Sequence, residues 1–93
     1  MKGYKELLKL ARNAIEAKLS GKGLNIYEKT KDKFNEKLAC FVTLSLNNNL
    51  RGCIGSLEAG QELWKDVVDN AQSAAFHDYR FKPVKTDELD DIR

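Results

Sequence analysis

The chain has 93 residues, 42% of them apolar and 32% charged, a balance that suits one folded domain and excludes both a disordered tail and two independent cores. No apolar run approaches the roughly 20 residues needed to span a bilayer, and Glu6, Lys9 and Arg12 break up the N-terminal segment before a signal-peptide core can form. The net charge of +2 is unevenly placed, with ten Lys/Arg against five Asp/Glu in residues 1–37 and six against nine in residues 38–93. That basic first half reads as a solvated helix face followed by a lysine-rich loop, with nucleic-acid binding as the alternative.

In chain order, Tyr4, Leu7, Leu8, Ala11, Ala14, Ile15 and Leu19 follow the rhythm of an amphipathic helix. Lys5, Lys9, Arg12, Asn13 and Glu16 lie on its wet face, and Gly21 is placed to end it. Residues 24–37 lose the pattern and read as an exposed connection, pinned to the core by Leu24, Ile26 and Phe34. Residues 38–46 are rich in β-formers, with Val42, Leu44 and Leu46 at period two. Asn47, Asn48 and Asn49 signal a turn, because asparagine tolerates positive φ, and a second strand runs from Leu50 to about Leu57. A second helix covers residues 61–76 with Leu63, Trp64, Val67, Val68, Ala71, Ala74 and Ala75 as its buried stripe. The small residues among these allow close approach to the sheet. Pro83 keeps residues 77–83 in a loop, and Thr86 can cap a short final turn, with Asp87 and Glu88 at its positive end. The fold expected is α+β: an antiparallel hairpin packed against two amphipathic helices.

Two cysteines, Cys40 and Cys53, and one histidine, His77, make neither a disulfide scaffold nor a four-ligand zinc site. No cofactor is expected, and nothing directs the chain out of the cytoplasm. If Leu46 pairs with Leu50 across a three-residue turn, Leu44 faces Gly52 and Val42 faces Ile54 on the apolar surface. Ser45 then faces Arg51, Thr43 faces Cys53 and Phe41 faces Gly55 on the other. Leu50 and Ile54 read as core. Gly52 and Gly55 weaken a strand and mark places where another backbone or a ligand comes close.

Arg51 and Cys53 then share one face, where a guanidinium favours a thiolate. Two readings stand: a shallow thiol-bearing or anion-binding pocket, or an inert, buried Cys53 beside an Arg51 paired with a core-edge carboxylate. Cys53, His77 and Asp78 are the catalytic candidates as nucleophile, base and orienter, against a structural His77 at a helix end. Asp78 and Arg80 form the alternative salt bridge, and Phe81 with Tyr79 anchors the loop.

Phe41-Val42-Thr43-Leu44, then Leu50-Arg51-Gly52-Cys53-Ile54-Gly55, then residues 74–83 and Glu88-Leu89 resemble the AMME syndrome candidate gene 1 family. The resemblance implies a larger two-lobed α+β domain, about twice this length, of which this chain is the N-terminal portion, as a fragment or a shortened form. It also implies a pocket around residues 50–55 and association with Memo-like and radical S-adenosylmethionine proteins. Binding of a partner or a small anionic ligand is the function expected, through residues 50–55 with Thr43, Asp78, Arg80 and Phe81. An enzyme using Cys53 is the alternative. An uncovered hairpin further implies self-association.

Overall fold

The structure, a computed structural model, describes residues 4–93. Helix α1 (Tyr4–Ser20) buries Leu10, Ala14 and Ile15 and stops where Gly21 takes φ +73°. There Lys22 N–H reaches Ala17 C=O at 3.1 Å and Gly21 N–H reaches Lys18 C=O, the six-to-one and five-to-two bonds of a glycine-capped helix. A short helix, α2 (Glu28–Lys33), occupies what the sequence suggested was an irregular connection. It has no apolar stripe to betray it. Its Glu28 at the start, Lys31 and Lys33 at the end and the Glu28–Lys31 pair suit the helix dipole, and Phe34 buries itself just beyond.

Strands β1 (Phe41–Leu46) and β2 (Asn49–Gly55) form the antiparallel hairpin. Four pairs stand as alternation requires: Phe41 with Gly55, Val42 with Ile54, Thr43 with Cys53 and Leu44 with Gly52. The tip is different. Asn47 and Asn48 both take positive φ, at 52° and 66°, which makes a two-residue turn whose twist matches the strands. Leu46 therefore pairs with Asn49 and Ser45 with Leu50, and the register shifts beyond Leu44. Arg51 is the extra residue of that bulge, not the partner of Ser45. Leu50, expected in the core, is exposed.

Helix α3 (Leu63–Phe76) lies on the face of the hairpin that carries Leu44 and Gly52. Ala71, Ala74 and Ala75 are buried there, and a Cβ on Gly52 would fall inside contact distance of the Ala74 carbonyl oxygen. Glycine at 52 is thus what lets helix and strand meet. A 3-10 helix (Thr86–Asp91) follows. Its start is held by Glu88, which accepts the Lys85 N–H at 2.9 Å, so the cap is supplied by Glu88 rather than by Thr86. Beyond it Leu46 bridges Ile92, and Ser45 exchanges both main-chain bonds with Arg93.

The core has two lobes. One gathers Ala14, Ile15, Leu44, Val84 and Ile92 with the three alanines, and the other Leu10, Phe34, Leu63 and Val67. Ala11 and Val68 touch both. The architecture is α+β, with α1 and α3 packed on the two-stranded antiparallel sheet. Among the described residues no helix is long and apolar enough to cross a membrane.

The two hairpin glycines should respond differently to a methyl group. Gly52→Ala sets Cβ against main chain that cannot yield, and is expected to cost about 2–3 kcal/mol of stability. Gly55→Ala has the exposed Phe41 ring as its nearest neighbour, a side chain that can swing aside, and should cost under about 1 kcal/mol. Denaturant unfolding of both variants checks the contrast.

Candidate functional site

Beyond α3 the chain turns back over β2, and Asp78 is the residue that fixes it there. Its side chain is almost wholly buried, which for an unpaired carboxylate would be prohibitive. Four donors offset that cost: Cys53 N–H at 3.0 Å, Arg80 N–H at 3.1 Å, and the Arg80 guanidinium at 3.0 and 2.7 Å. The Arg80 guanidinium, with the two amides behind it, holds the Asp78 carboxyl well below the usual carboxylate range despite burial. Arg80 also reaches Cys53 C=O at 3.5 Å. The middle of β2 is therefore bonded on its outer edge by side chains where a third strand would otherwise lie.

The bulge takes Arg51 out of simple alternation and gives it to Glu88. The pairing is bidentate, at 2.9 and 3.2 Å, and Arg51 is only 12% exposed. Hydrogen bonds from Arg51 and from Lys85 N–H keep Glu88 below its ordinary value, against a smaller cost of burial. Among the described residues, Arg51 Nη1 is buried without a hydrogen-bond partner. The Phe81 ring is near both guanidiniums, its centroid 6.0 Å from the Cζ of Arg51 and 5.4 Å from that of Arg80. Such cation–π contacts add to the packing that orders the loop.

Cys53 has its thiol 3.3 Å from Thr43 Oγ1 across the ladder. Neither guanidinium bonds to it, so Arg51 follows the carboxylate-paired of the two sequence readings. His77 caps α3 through its main chain, N–H to Ser73 C=O, and its side chain is exposed. Among the described residues no hydrogen bond joins His77 to Cys53 or Asp78. Asp78 meets Cys53 through the backbone amide, which positions a strand and does not activate a nucleophile. Thus Thr43, Arg51, Cys53, Asp78, Arg80 and Phe81 converge, Gly52 and Ile54 face inward, and Leu50 and His77 stand outside the cluster.

A second buried aspartate went unnoticed in the sequence. Asp66, in the first turn of α3, accepts the Cys40 N–H at 2.9 Å, the Ser56 hydroxyl at 2.7 Å, and amide groups of Gln61 and Asn70 at 3.1 and 3.0 Å. Burial pushes its carboxyl up, but these bonds together outweigh burial and leave it below its ordinary value. Beside it, burial raises the Cys40 thiol to about 11, the Asn70 bond opposing and Asp66 reinforcing the shift. The signal was available: Asp66 and Asn70 are four apart within an otherwise apolar stripe. A cavity of about 410 Å³ opens between α1 and β1, lined by Leu8, Leu38, Cys40, Phe41 and Thr43 among others. None of residues 50–55 lines it.

A protein-family model described as AMMECR1 matches residues 8–93. A protein of Methanothermobacter thermautotrophicus is 47% identical over 87 residues, which are 92% of this chain and 45% of its own length. Protein NEQ441 of Nanoarchaeum equitans is 40% identical over 88 residues, 94% of this chain and 49% of its own. Among solved structures, uncharacterized protein PH0010 from Pyrococcus horikoshii superimposes with a TM-score of 0.85 at 38% identity, over 94% of this chain and 46% of that one. The chain spans about half the length of the relatives it matches.

Asp78, Asp66 and Glu88 all have lowered folded-state pKa values, so the unfolded chain binds more protons as the pH drops. Their stabilisation is complete above the unfolded values near pH 4 and is lost as the pH falls through the folded ones. Thermal melts should be level from pH 7 to about pH 5 and decline below it. Asp78→Asn should melt lower at pH 7 yet lose less over the acid range; parallel acid limbs would contradict the assignment. Cys40, with its thiol near 11, should alkylate with iodoacetamide at pH 7.5 at least about tenfold more slowly than in the denatured chain.

Proposed function

Because the chain belongs to the AMMECR1 family, we propose that it is a cytoplasmic binding module whose working surface surrounds Arg51, Cys53 and the loop of residues 77–83, and whose ligand is a partner protein. The observation that carries this reading is the four-donor carboxylate of Asp78. A buried charge fully satisfied by hydrogen bonds makes a rigid frame, and here it fixes a loop whose own side chains face water. Tyr79 is 95% exposed, and Phe41 and Leu50 are exposed large apolar groups on the neighbouring strands. Aromatic and arginine side chains on a preordered surface are the composition of interface anchors.

Small-anion binding is the weaker form of the proposal. Arg51 and Arg80 each already hold a carboxylate, so the four groups together carry no net charge to attract another anion. Among the described residues no hydrogen bond joins His77 to Cys53, so the enzyme reading has no paired base to support it. Two free thiols, Cys40 and Cys53, agree with a reducing compartment. Memo-like and radical S-adenosylmethionine proteins, which the family resemblance implies, are the first partners to test.

Affinity capture with the wild-type chain and with Arg80→Ala, Tyr79→Ala and Cys53→Ser, each shown to melt cooperatively, separates the possibilities. Retention of one stoichiometric protein should fall at least about tenfold in the first two variants, the loss expected when an anchor worth about 1.4 kcal/mol or more is truncated. Equal retention by all folded variants rejects the surface. Fast alkylation of Cys53 well below pH 8, with loss confined to Cys53→Ser, would instead favour the nucleophile.

A further inference from the structure

The fold leaves much of the basic first half of the chain unengaged. Arg12 turns inward to the carbonyls of Leu89 and Ile92. Lys33 is held by Glu6 at 2.6 Å, and Lys31 lies 3.7 Å from Glu28. Lys5, Lys9, Lys18, Lys22 and Lys29 are exposed and belong to no ion pair among the described residues.

A groove follows the wet face of α1 beside these groups. One concavity, of about 230 Å³, lies against Glu6, Lys9 and Asn13 and is walled by Asn25, Tyr27 and Thr30. The next, of about 250 Å³, lies against Asn13, Glu16 and Ser20 and is walled by Lys22 and Asn25. They share Asn13 and Asn25, so they are consecutive sections of one channel along successive turns of α1. Residues 22–27, the connection between α1 and α2, form its far wall.

The groups along this channel suit a polymer that alternates flat rings with negative charge. Tyr27 is 84% exposed, an aromatic ring left in water within reach of lysines. The amides of Asn13 and Asn25 each offer donors and an acceptor. Because Lys33 neutralises Glu6, Lys9 and Lys22 face the single carboxylate of Glu16 in the linings, and Lys5 stands one turn before Lys9 on the same face. Lysine is among the residues least often buried, so this flank of α1 is built to stay in water. The apolar contacts lie on the other flank, where Leu8, Ala11 and Ile15 meet Ile92 and Arg93.

We propose that this groove binds single-stranded nucleic acid, with Tyr27 stacked on a base, Lys9 and Lys22 on neighbouring phosphates, and the asparagine amides on base edges. An aromatic plate in a positively charged groove is the general means of holding unpaired strands. A duplex, whose bases are already stacked, would leave Tyr27 unused. An acidic polypeptide would satisfy the lysines but has no regular use for the ring and the paired amides. This inference concerns α1 and its connection to α2, and does not rest on the surface around Arg51 and Cys53.

The test follows the fluorescence anisotropy of labelled oligouridylate and oligothymidylate of about twelve nucleotides, titrated with the whole chain. Binding should be present at about 50 mM salt and weaken about 20-fold by about 200 mM, as when about three phosphates are neutralised. Lys9→Gln and Lys22→Gln should each reduce the slope of log affinity against log salt by about 0.7, whereas Lys85→Gln, outside the groove, should leave it unchanged. Tyr27→Ala should weaken binding at least about fivefold at an unaltered slope, the loss of one stacked base. All four side chains are exposed, and each variant is first shown to melt as the wild type does. Binding of either oligonucleotide in this pattern supports the proposal, and the tighter of the two identifies the sugar. No binding at millimolar chain, an equal loss of slope in Lys85→Gln, full affinity in Tyr27→Ala, or tighter binding of labelled oligoglutamate of equal length would each overturn it.

Discussion

Helix α3 is fastened to the hairpin at both of its ends by a buried carboxylate, and the position of every candidate residue depends on that double attachment. Asp66, at its first turn, takes the amide of Cys40 and the hydroxyl of Ser56, where the two strands begin and end. Asp78, just past its last turn, takes the amide of Cys53 in the middle of β2. Between these points the helix can lie flat on the sheet only because alanines face glycine. A charge out of water is costly unless several donors meet it, so each aspartate imposes a geometry as well as an energy. Strand, helix and loop must hold their places together for the charge to be satisfied.

That constraint also settles what the hexapeptide is. Leu50, Arg51, Gly52, Cys53, Ile54 and Gly55 divide by what each touches. Gly52 is the contact with α3, Ile54 packs against the core, Arg51 is drawn to the 3-10 helix by Glu88, and the Cys53 amide is the anchor for the loop. The thiol sits beside Thr43 on the face away from the helices. Much of the motif is thus a device for assembling three elements around one strand, and the surface it exposes is built largely by Tyr79, Arg80 and Phe81.

Alternation and helical period made most of the fold legible: both long helices, the hairpin and the four pairs from Phe41–Gly55 to Leu44–Gly52 follow from side-chain spacing alone. The tip escaped because three consecutive asparagines suit either a two- or a three-residue turn, and backbone twist makes the choice. Helix α2 escaped because six polar residues carry no apolar rhythm; the buried anchor at Phe34 and favourable end charges hold it. The partners of Asp66 and Asp78 are distant in sequence, and no spacing rule reports a bond between a helix end and a strand amide. The place of Arg51 followed from the bulge, which a strict period of two cannot represent.

The closure of β2 at Cys53 has a consequence for assembly on a larger scale. A ribbon or fibril of strands grows only if each unit offers two complementary edges, one to receive and one to present. Here Asp78 and Arg80 engage the outer edge of β2 at Cys53 with charged side chains, so an approaching strand meets an ion pair there and no free main-chain groups. Growth of a ribbon through β2 would first have to break that ion pair and leave a buried carboxylate unpaired, a cost that protects this edge from open-ended pairing.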